Sequence, residues 1–269
     1  MSLPMHYDCF LSNGLAVSRS KGDLPAVSGC GVDEVAVVLT PADTDLRVMC
    51  AFAEALTGLG QRSGTLVWRV VDGLRGYVAR PDEKQQIVAS LRGVDLDWIV
   101  PEKPLSQMQA VVYGLGVSHE GNVIMMNPDM PDNLRDVERF MQQQSEGARL
   151  VFARRVTRKD ISLLRHWMTA AFSSVARWAL SMPVHDFNSS MVLVSSEALA
   201  RLHVVPADCP VPYLFVCHAL RFRIAEVPIE VCEFPGKKSS FSWSLRVTTS
   251  LAHFHEMYRF RIWMMGRSS

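Results

Sequence analysis

The sequence indicates an α/β protein with a mostly parallel sheet and helices on both faces. Short apolar, often β-branched runs alternate with longer segments in which apolar residues recur at helical spacing. The run VAVVL at 35–39 contains no polar residue, which is typical of a central strand buried on both faces of a parallel sheet. Regular alternation of this kind favours strand–helix–strand units over an all-helical or all-strand architecture.

The first half of the chain is expected to form four strands separated by helices. The run VAVVL at 35–39 is the first strand, and a helical repeat over 44–57 follows it, which Gly58 and Gly60 are expected to close. The sequence PDE at 81–83 should open a second helix, because proline needs no N–H there and acids suit the positive helix end. The other elements predicted in this half are strands at 65–71, 97–100 and 122–126 and helices at 106–119 and 134–144.

The second half continues the alternation, and the whole is predicted to form one domain at 34–240. Residues 1–33, rich in Gly, Ser and Pro, are expected to form an irregular arm, and 241–269 a C-terminal amphipathic helix. The elements predicted here are strands at 149–153, 190–194 and 222–231 and helices at 161–182, 196–202 and 241–265.

Composition and charge argue against a disordered protein, a nucleic-acid-binding protein and a membrane-spanning protein. Hydrophobic residues make up 48% and charged residues 20% of the 269 residues, as in ordinary globular domains. A net charge of +1 gives no general attraction to nucleic acid, so no nucleic-acid partner is expected. The six cysteines lack a C-x-x-C pair, which favours reduced thiols in a cytoplasmic protein over a zinc site. Without a secretory leader or a long apolar segment, the protein is expected to be soluble or peripheral to a membrane.

Three aspartates follow predicted strands. Asp43 comes after the first strand, Asp72 after the second and Asp129 after the strand at 122–126. The carboxyl ends of parallel strands meet at one edge of the sheet, where α/β proteins bind ligands. An aspartate after a strand is also a common turn or cap residue, and Asp43 could equally cap the helix at 44–57.

A series of segments resembles family 2 glycosyltransferases, and most closely the polyprenyl- or dolichyl-phosphate sugar transferases. The resemblance covers about residues 33–245, and its more telling parts are the DFNSS and EVPIEV–GKKSS blocks. The segments are VAVVLTPADTD, WRVVDG, NVIMMNPDMPDNL, ARLVFARRVTRKD, PVHDFNSSMVLVSSEAL and IAEVPIEVCEFPGKKSS. The likeness implies a single glycosyltransferase A type domain that binds a nucleotide-diphosphate sugar.

The same resemblance implies roles at the strand ends. It assigns Pro41, Asp43 and Asp72 to the base and ribose, and Asn127 and Asp129 to Mg²⁺ or Mn²⁺. Hard divalent ions favour such oxygen ligands and commonly use one or two carboxylates with substrate phosphates. The family usually has an acid where this chain has Asn127. That departure leaves a second hypothesis open, a non-catalytic nucleotide-sugar-binding or scaffold protein.

The resemblance also places basic residues near the phosphates. Arg154 and Arg155 match a phosphate-binding position, and Lys237 and Lys238 match a basic loop expected to close over the site. Asp186 matches an acidic position of the family. A hydroxyl acceptor needs a general base, which Asp186 could supply, whereas a phosphate acceptor is already ionised and leaves Asp186 a positioning role.

The sequence therefore predicts an inverting glycosyltransferase that uses a nucleotide-diphosphate sugar and a divalent metal. The acceptor is expected to be a lipid phosphate such as polyprenyl phosphate, or a glycan hydroxyl. Aromatic and basic residues alternate in the C-terminal segment, which suits either core packing or the surface of a membrane at its cytoplasmic face.

Overall fold

The computed structural model of the chain shows a seven-stranded sheet with helices on both faces. It describes residues 34–38, 45–63, 66–72, 81–101, 114–115, 121–128, 130–157, 163–180, 184–186, 191–202, 221–231, 251, 254–255, 257–263 and 265–266. The expected arm at 1–33 lies outside these residues, as does most of the helix expected at 106–119, of which residues 114 and 115 are helical.

The strands follow the order β3-β2-β1-β4-β6-β5-β7, with β3 and β7 outermost. Only β6 runs antiparallel to its neighbours, whereas the other pairs in this sheet are parallel. The prediction of a mostly parallel α/β sheet is therefore confirmed. The strands are β1 Glu34–Val38, β2 Leu66–Val71, β3 Val94–Ile99, β4 Val123–Met126, β5 Leu150–Thr157, β6 Met191–Val194 and β7 Ile224–Glu230.

The helices lie between the strands, close to their expected places. The helix expected at 134–144 begins instead as a 3-10 helix over Pro131–Asp136, and the strand expected at 97–100 starts three residues earlier, at Val94. The α-helices are α1 Leu46–Ser63, α2 Pro81–Ala89, α3 Val137–Ser145, α4 Leu163–Leu180 and α5 Ser196–Leu202.

Asp45 caps α1 and fixes where this helix begins. Its Oδ1 accepts the backbone N–H of Arg47 at 2.9 Å, the usual interaction of an N-cap aspartate. The Arg47 guanidinium bonds the same carboxylate and lowers the pKa of Asp45 below its ordinary value. The expectation that Asp43 could cap this helix is wrong by two residues, and Asp43 itself lies outside the described residues.

Gly58 and Gly60 do not close α1, contrary to expectation, since the helix continues to Ser63. At Gly60 an added Cβ would lie 2.9 Å from Cγ2 of Val94 and 3.2 Å from the carbonyl oxygen of Gly93. At Gly58 it would meet nothing within 4 Å. Gly60 is therefore a position of close helix–strand approach, because only glycine leaves room for β3 there.

Two hydrophobic cores cover the two faces of the sheet. The first core joins one face to α1, α2 and α3 and includes Phe52, Trp68 and Phe140. The second core joins the other face to α4, α5 and the helical residues 257–263, and it includes Phe152. Strands β4, β5 and β6 contribute side chains to both cores, because successive side chains of a strand alternate between faces.

The described residues between 251 and 265 are helical, in line with the helix expected at 241–265. Across the part of the chain that the structure describes, no helix combines the length and the apolar character needed to cross a membrane.

Candidate functional site

Asp72 and Asn127 lie on either side of the end of β1. β1 is paired in register with β2 up to Val71 and with β4 up to Met126, and Asp72 and Asn127 follow these residues directly. Neighbouring strands are about 4.8 Å apart, so the two backbones are about 10 Å apart across β1. We call this side of the sheet the carboxyl edge; the parallel strands end there, whereas β6 begins there.

The sheet order reverses at the same place. From β1 the chain builds outward to β2 and β3, then returns to add β4 on the other side of β1. Open α/β sheets bind ligands in the crevice that forms at such a switch point, beyond the carboxyl ends of the strands. Asn127 therefore stands beside the place where a ligand is expected in this architecture.

The backbone of each of these two residues forms a hydrogen bond beyond its own strand. Asp72 is 1% exposed, and its backbone N–H donates to the Ile99 carbonyl of β3 at 2.9 Å. Asn127 is half-buried, and its carbonyl accepts the N–H of Met130 at 3.4 Å, so the chain turns directly after β4. Asn127 is thus the first residue of a short turn at the carboxyl edge.

Arg155, near the end of β5, forms a two-point ion pair with Asp186, which lies between α4 and β6. The Nε and Nη2 atoms of Arg155 donate to the two carboxylate oxygens at 2.5 and 2.6 Å. The backbone N–H of Arg155 donates to Oδ2 as well, at 3.4 Å. The side chains are only 13% and 11% exposed, so this charge-assisted pair is largely shielded from water.

Glu226 of β7 holds the segment that carries Asp186. Its Oε1 accepts the backbone N–H groups of His185 at 2.5 Å and Asp186 at 3.2 Å, and its Oε2 lies 2.6 Å from Nδ1 of His185. The His185 side chain is 50% exposed, whereas that of Glu226 is mostly buried. Glu226 therefore orients the ring of His185 and fixes the position of Asp186.

Arg154 is placed differently from its neighbour. It is half-buried, and alternation along the strand directs it to the face opposite Arg155. Arg149, at the other end of β5, pairs with Glu197 of α5. Arg149 and Arg155 thus each have an ion-pair partner, whereas Arg154 has none within the described part of the chain.

The structure thus brings some of the expected site residues together and leaves others untested. It places Asp72 and Asn127 at one edge and joins Arg155 to Asp186. Asp129 and the other expected ligands lie outside the described residues: Pro41, Asp43, Lys237 and Lys238. The described residues alone contain no group of three or more His, Cys, Asp or Glu side chains that could hold a metal.

Two residues of this cluster, His185 and Glu226, were not expected from the sequence. The sequence did contain a signal for a polar contact at this strand, because Glu226 is a carboxylate inside a mostly apolar run, IAEVPIE. A carboxylate at a mostly buried position needs hydrogen-bond donors, which predicts polar partners near β7 but does not identify them.

No protein-family model matches the sequence, and no curated protein matches it significantly. Solved structures do match its fold. Glucosyl-3-phosphoglycerate synthase from Mycobacterium tuberculosis, solved with Mn²⁺, uridine-diphosphate-glucose and phosphoglyceric acid, has a TM-score of 0.56 at 13% identity, over 86% of this chain and 80% of that chain. A mannosyltransferase from Pyrobaculum calidifontis, solved with GDP-Man and Mn²⁺, has a TM-score of 0.57 at 17% identity, over 84% of this chain and 64% of that chain.

The chain has a glycosyltransferase A fold. This confirms the fold expected from the sequence, and at such low identities the likeness concerns the fold. In this glycosyltransferase A fold, the carboxyl edge runs from Asp72 past Asn127 to Arg155, over four strand spacings or about 19 Å. That length suits an extended ligand lying across the strand ends.

Proposed function

We propose that the protein is an inverting glycosyltransferase that moves a sugar from a nucleotide-diphosphate donor to a polyprenyl phosphate, or to another phosphate or hydroxyl acceptor. The observation that carries this proposal is the position of Asn127, beside the switch point between β1 and β4, with Asp72 across the end of β1. Solved proteins of the same fold, bound to uridine-diphosphate-glucose or GDP-Man, support a donor of this class.

The donor is proposed to lie along the carboxyl edge with its nucleoside near β2. Asp72, with Pro41 and Asp43, would bind the base and ribose, as the family resemblance implies; Asp72 is buried where β2 ends. The diphosphate would then extend toward Asn127, and the sugar toward the strands β6 and β5.

Asn127 and Asp129 are the proposed ligands of Mg²⁺ or Mn²⁺. The donor set fits a hard cation, because an amide oxygen and a carboxylate are both oxygen ligands and the diphosphate supplies more. When bound, the cation neutralises the charge that builds on the departing nucleoside diphosphate. The structures of this fold that were solved with Mn²⁺ or Mg²⁺ support a divalent cation as the cofactor, whereas the choice of Asn127 and Asp129 as its ligands comes from the family resemblance.

The Arg155–Asp186 pair bears on the choice of acceptor. Both oxygens of Asp186 are engaged by the guanidinium, which leaves the carboxylate poorly placed to take a proton from a hydroxyl. A phosphate monoester is largely ionised at neutral pH and needs no general base. We therefore favour a phosphate acceptor, bound by Arg154 with Lys237 and Lys238, and assign Asp186 a positioning role.

A non-catalytic nucleotide-sugar-binding protein is the second candidate. The amide of Asn127, where the resembling family has an acid, favours it, because one negative charge for the cation is missing.

Thermal unfolding with UDP- and GDP-sugars, with and without Mn²⁺, tests the proposed site. At least one donor is expected to raise Tm only when Mn²⁺ is present. Asn127→Asp should strengthen that shift because it adds a carboxylate, and Asp72→Asn should weaken it. Asp95→Asn, which changes an exposed carboxylate of the edge strand β3, is the matched control and should leave the shift unchanged.

Activity then separates the two candidates. Transfer of sugar from the stabilising donor to polyprenyl phosphate supports the transferase. Stabilisation without transfer to lipid phosphates, small phosphates or glycan hydroxyls supports the binding protein, and no stabilisation by any donor contradicts both.

A further inference from the structure

One side of the molecule exposes an unusual number of large apolar side chains. Seven of the ten exposed large hydrophobic residues in the described part of the chain belong to α4 or to the helical residues 251–265. We call them the apolar face: Trp167, Val175, Trp178, Leu251, Tyr258, Ile262 and Met265. Single exposed apolar residues are common on protein surfaces, but a contiguous group marks an interaction site.

On α4 the exposed residues form one stripe. Trp167 and Trp178 are 71% and 77% exposed, and they are eleven residues apart, which is about three helical turns or 16 Å. Val175 and the small residues Ala171 and Ser174 are exposed between them. The stripe therefore has a large amphipathic ring at each end and little bulk in the middle.

The C-terminal helical residues repeat this arrangement. Tyr258, Ile262 and Met265 follow at intervals of four and three residues, so they share one side of the helix. The opposite side packs into the second core through Met257 and Phe260. This helix is thus apolar on two sides, and the molecule covers only one of them.

The two stripes belong to one surface. The rings of Phe172 and Phe254 are 5.0 Å apart between centroids, so the helices pack side by side. On the outer side, the guanidinium of Arg261 lies 5.8 Å from the ring centre of Trp178. This contact between Arg261 and Trp178 makes the exposed sides of the two helices one continuous surface.

Within the described residues, the charged side chains of these two helices are all basic. α4 contains no Asp or Glu, and residues 251–266 contain a single acid, Glu256. Basic residues border the face on both helices, namely Arg177, Arg259 and Arg261. A two-fold dimer through this face would bring these cations together, which disfavours a second copy of the chain as its occupant.

We propose that the apolar face binds the surface of a lipid bilayer that contains anionic lipid. Tryptophan and tyrosine rings prefer the boundary between head groups and acyl chains, and flanking arginines attract anionic head groups. The helices would lie along this surface, since within the described residues neither is long and apolar enough to cross a bilayer. The inference concerns a face of α4 and the C-terminal helix, and it stands whether or not the chain transfers sugar.

Sedimentation with vesicles tests this inference on the full chain. Vesicles of phosphatidylcholine with phosphatidylglycerol should bind the protein, and vesicles of phosphatidylcholine alone should bind it much less. Trp167→Ser/Trp178→Ser should weaken binding at least about tenfold. Arg259→Gln/Arg261→Gln should weaken it about thirtyfold, because each basic residue near an anionic surface contributes about fivefold.

Matched substitutions elsewhere serve as controls. Val88→Ser removes an exposed apolar residue of α2, and Arg92→Gln an exposed cation before β3; neither should change binding. Circular dichroism and Tm establish that each variant is folded. Absence of binding to the anionic vesicles, or equal loss in variants and controls, overturns the proposal. A concentration-dependent dimer that the tryptophan variants abolish, without vesicle binding, assigns the face to a second copy and overturns it too.

Discussion

Asp45 combines two interactions in one carboxylate, the cap of α1 and the contact with the guanidinium of Arg47. The hydrogen bonds from Arg47 lower the pKa of Asp45 in the folded protein. A carboxyl whose pKa is lower in the folded state than in the unfolded chain stabilises the fold above its ordinary pKa. That contribution is lost as the pH falls through the lowered value.

Two substitutions of Asp45 separate the cap from the charge. Asp45→Ala should lower the free energy of unfolding at pH 7 by about 1 kcal/mol, because the first turn loses its cap. Asp45→Asn keeps a capping side chain, so its smaller deficit at pH 7 should shrink as the pH falls below the ordinary pKa of aspartate, about 3.9, toward the lowered pKa of the folded protein. Urea unfolding at pH 7 and at successively lower pH values measures this; a deficit of Asp45→Asn that is independent of pH contradicts the argument.

The Arg155–Asp186 pair should matter more for stability than the exposed pair of Arg149, directly before β5, with Glu197. Arg155→Met leaves a shielded carboxylate without its cation and should cost about 3 kcal/mol. Arg155→Met/Asp186→Leu removes both charges and should recover most of that loss. Arg149→Met breaks the exposed pair with Glu197 and should cost less than about 1 kcal/mol. Equal losses for the Arg155 and Arg149 variants would refute the distinction.

Within α1, Gly60 and Gly58 offer a matched pair for testing how the helix meets β3. Alanine stabilises a helix interior by about 1 kcal/mol relative to glycine, so Gly58→Ala should raise the stability. Gly60→Ala should lower it, because its Cβ would lie 2.9 Å from Cγ2 of Val94. Urea unfolding of the two variants checks the opposite signs, and a stabilising Gly60→Ala contradicts the close approach.

Gly60 also illustrates why element boundaries were harder to predict than the elements themselves. Apolar runs and helical spacing located the strands and helices, since those patterns are local in sequence. Whether a glycine ends a helix or makes room for a neighbouring strand depends on residues far along the chain, such as Val94. The reversed direction of β6 could not be predicted either, because a buried apolar strand has the same composition in either direction.

The part of the candidate site that depends on local sequence patterns was predictable, and the part that depends on long-range contacts was not. Asp72 and Asn127 follow apolar runs directly, and parallel pairing alone brings them to one edge. The contact of Glu226 with His185 joins residues 41 apart and depends on how α4 returns the chain to β6. Such contacts follow from packing and have no spacing pattern in the sequence.

The two cores share the sheet, which should make them unfold together. Phe140 belongs to the first core and Phe152 to the second, and both are fully buried. Either Phe→Ala substitution should cost about 3–5 kcal/mol. Each should shift one common urea transition, coincident by circular dichroism and tryptophan fluorescence. Separate transitions, or a shift in only one probe, would show that the cores are independent.

The outermost strands of the described sheet affect whether the protein aggregates at high concentration. An open strand edge can recruit strands from other molecules and so begin aggregation. β3 carries the exposed carboxylate of Asp95, and β7 carries the exposed Pro228, which has no N–H to donate. Charge repulsion at one border and a missing donor at the other should hinder fibre growth, so the sheet is shielded from polymerisation on both sides.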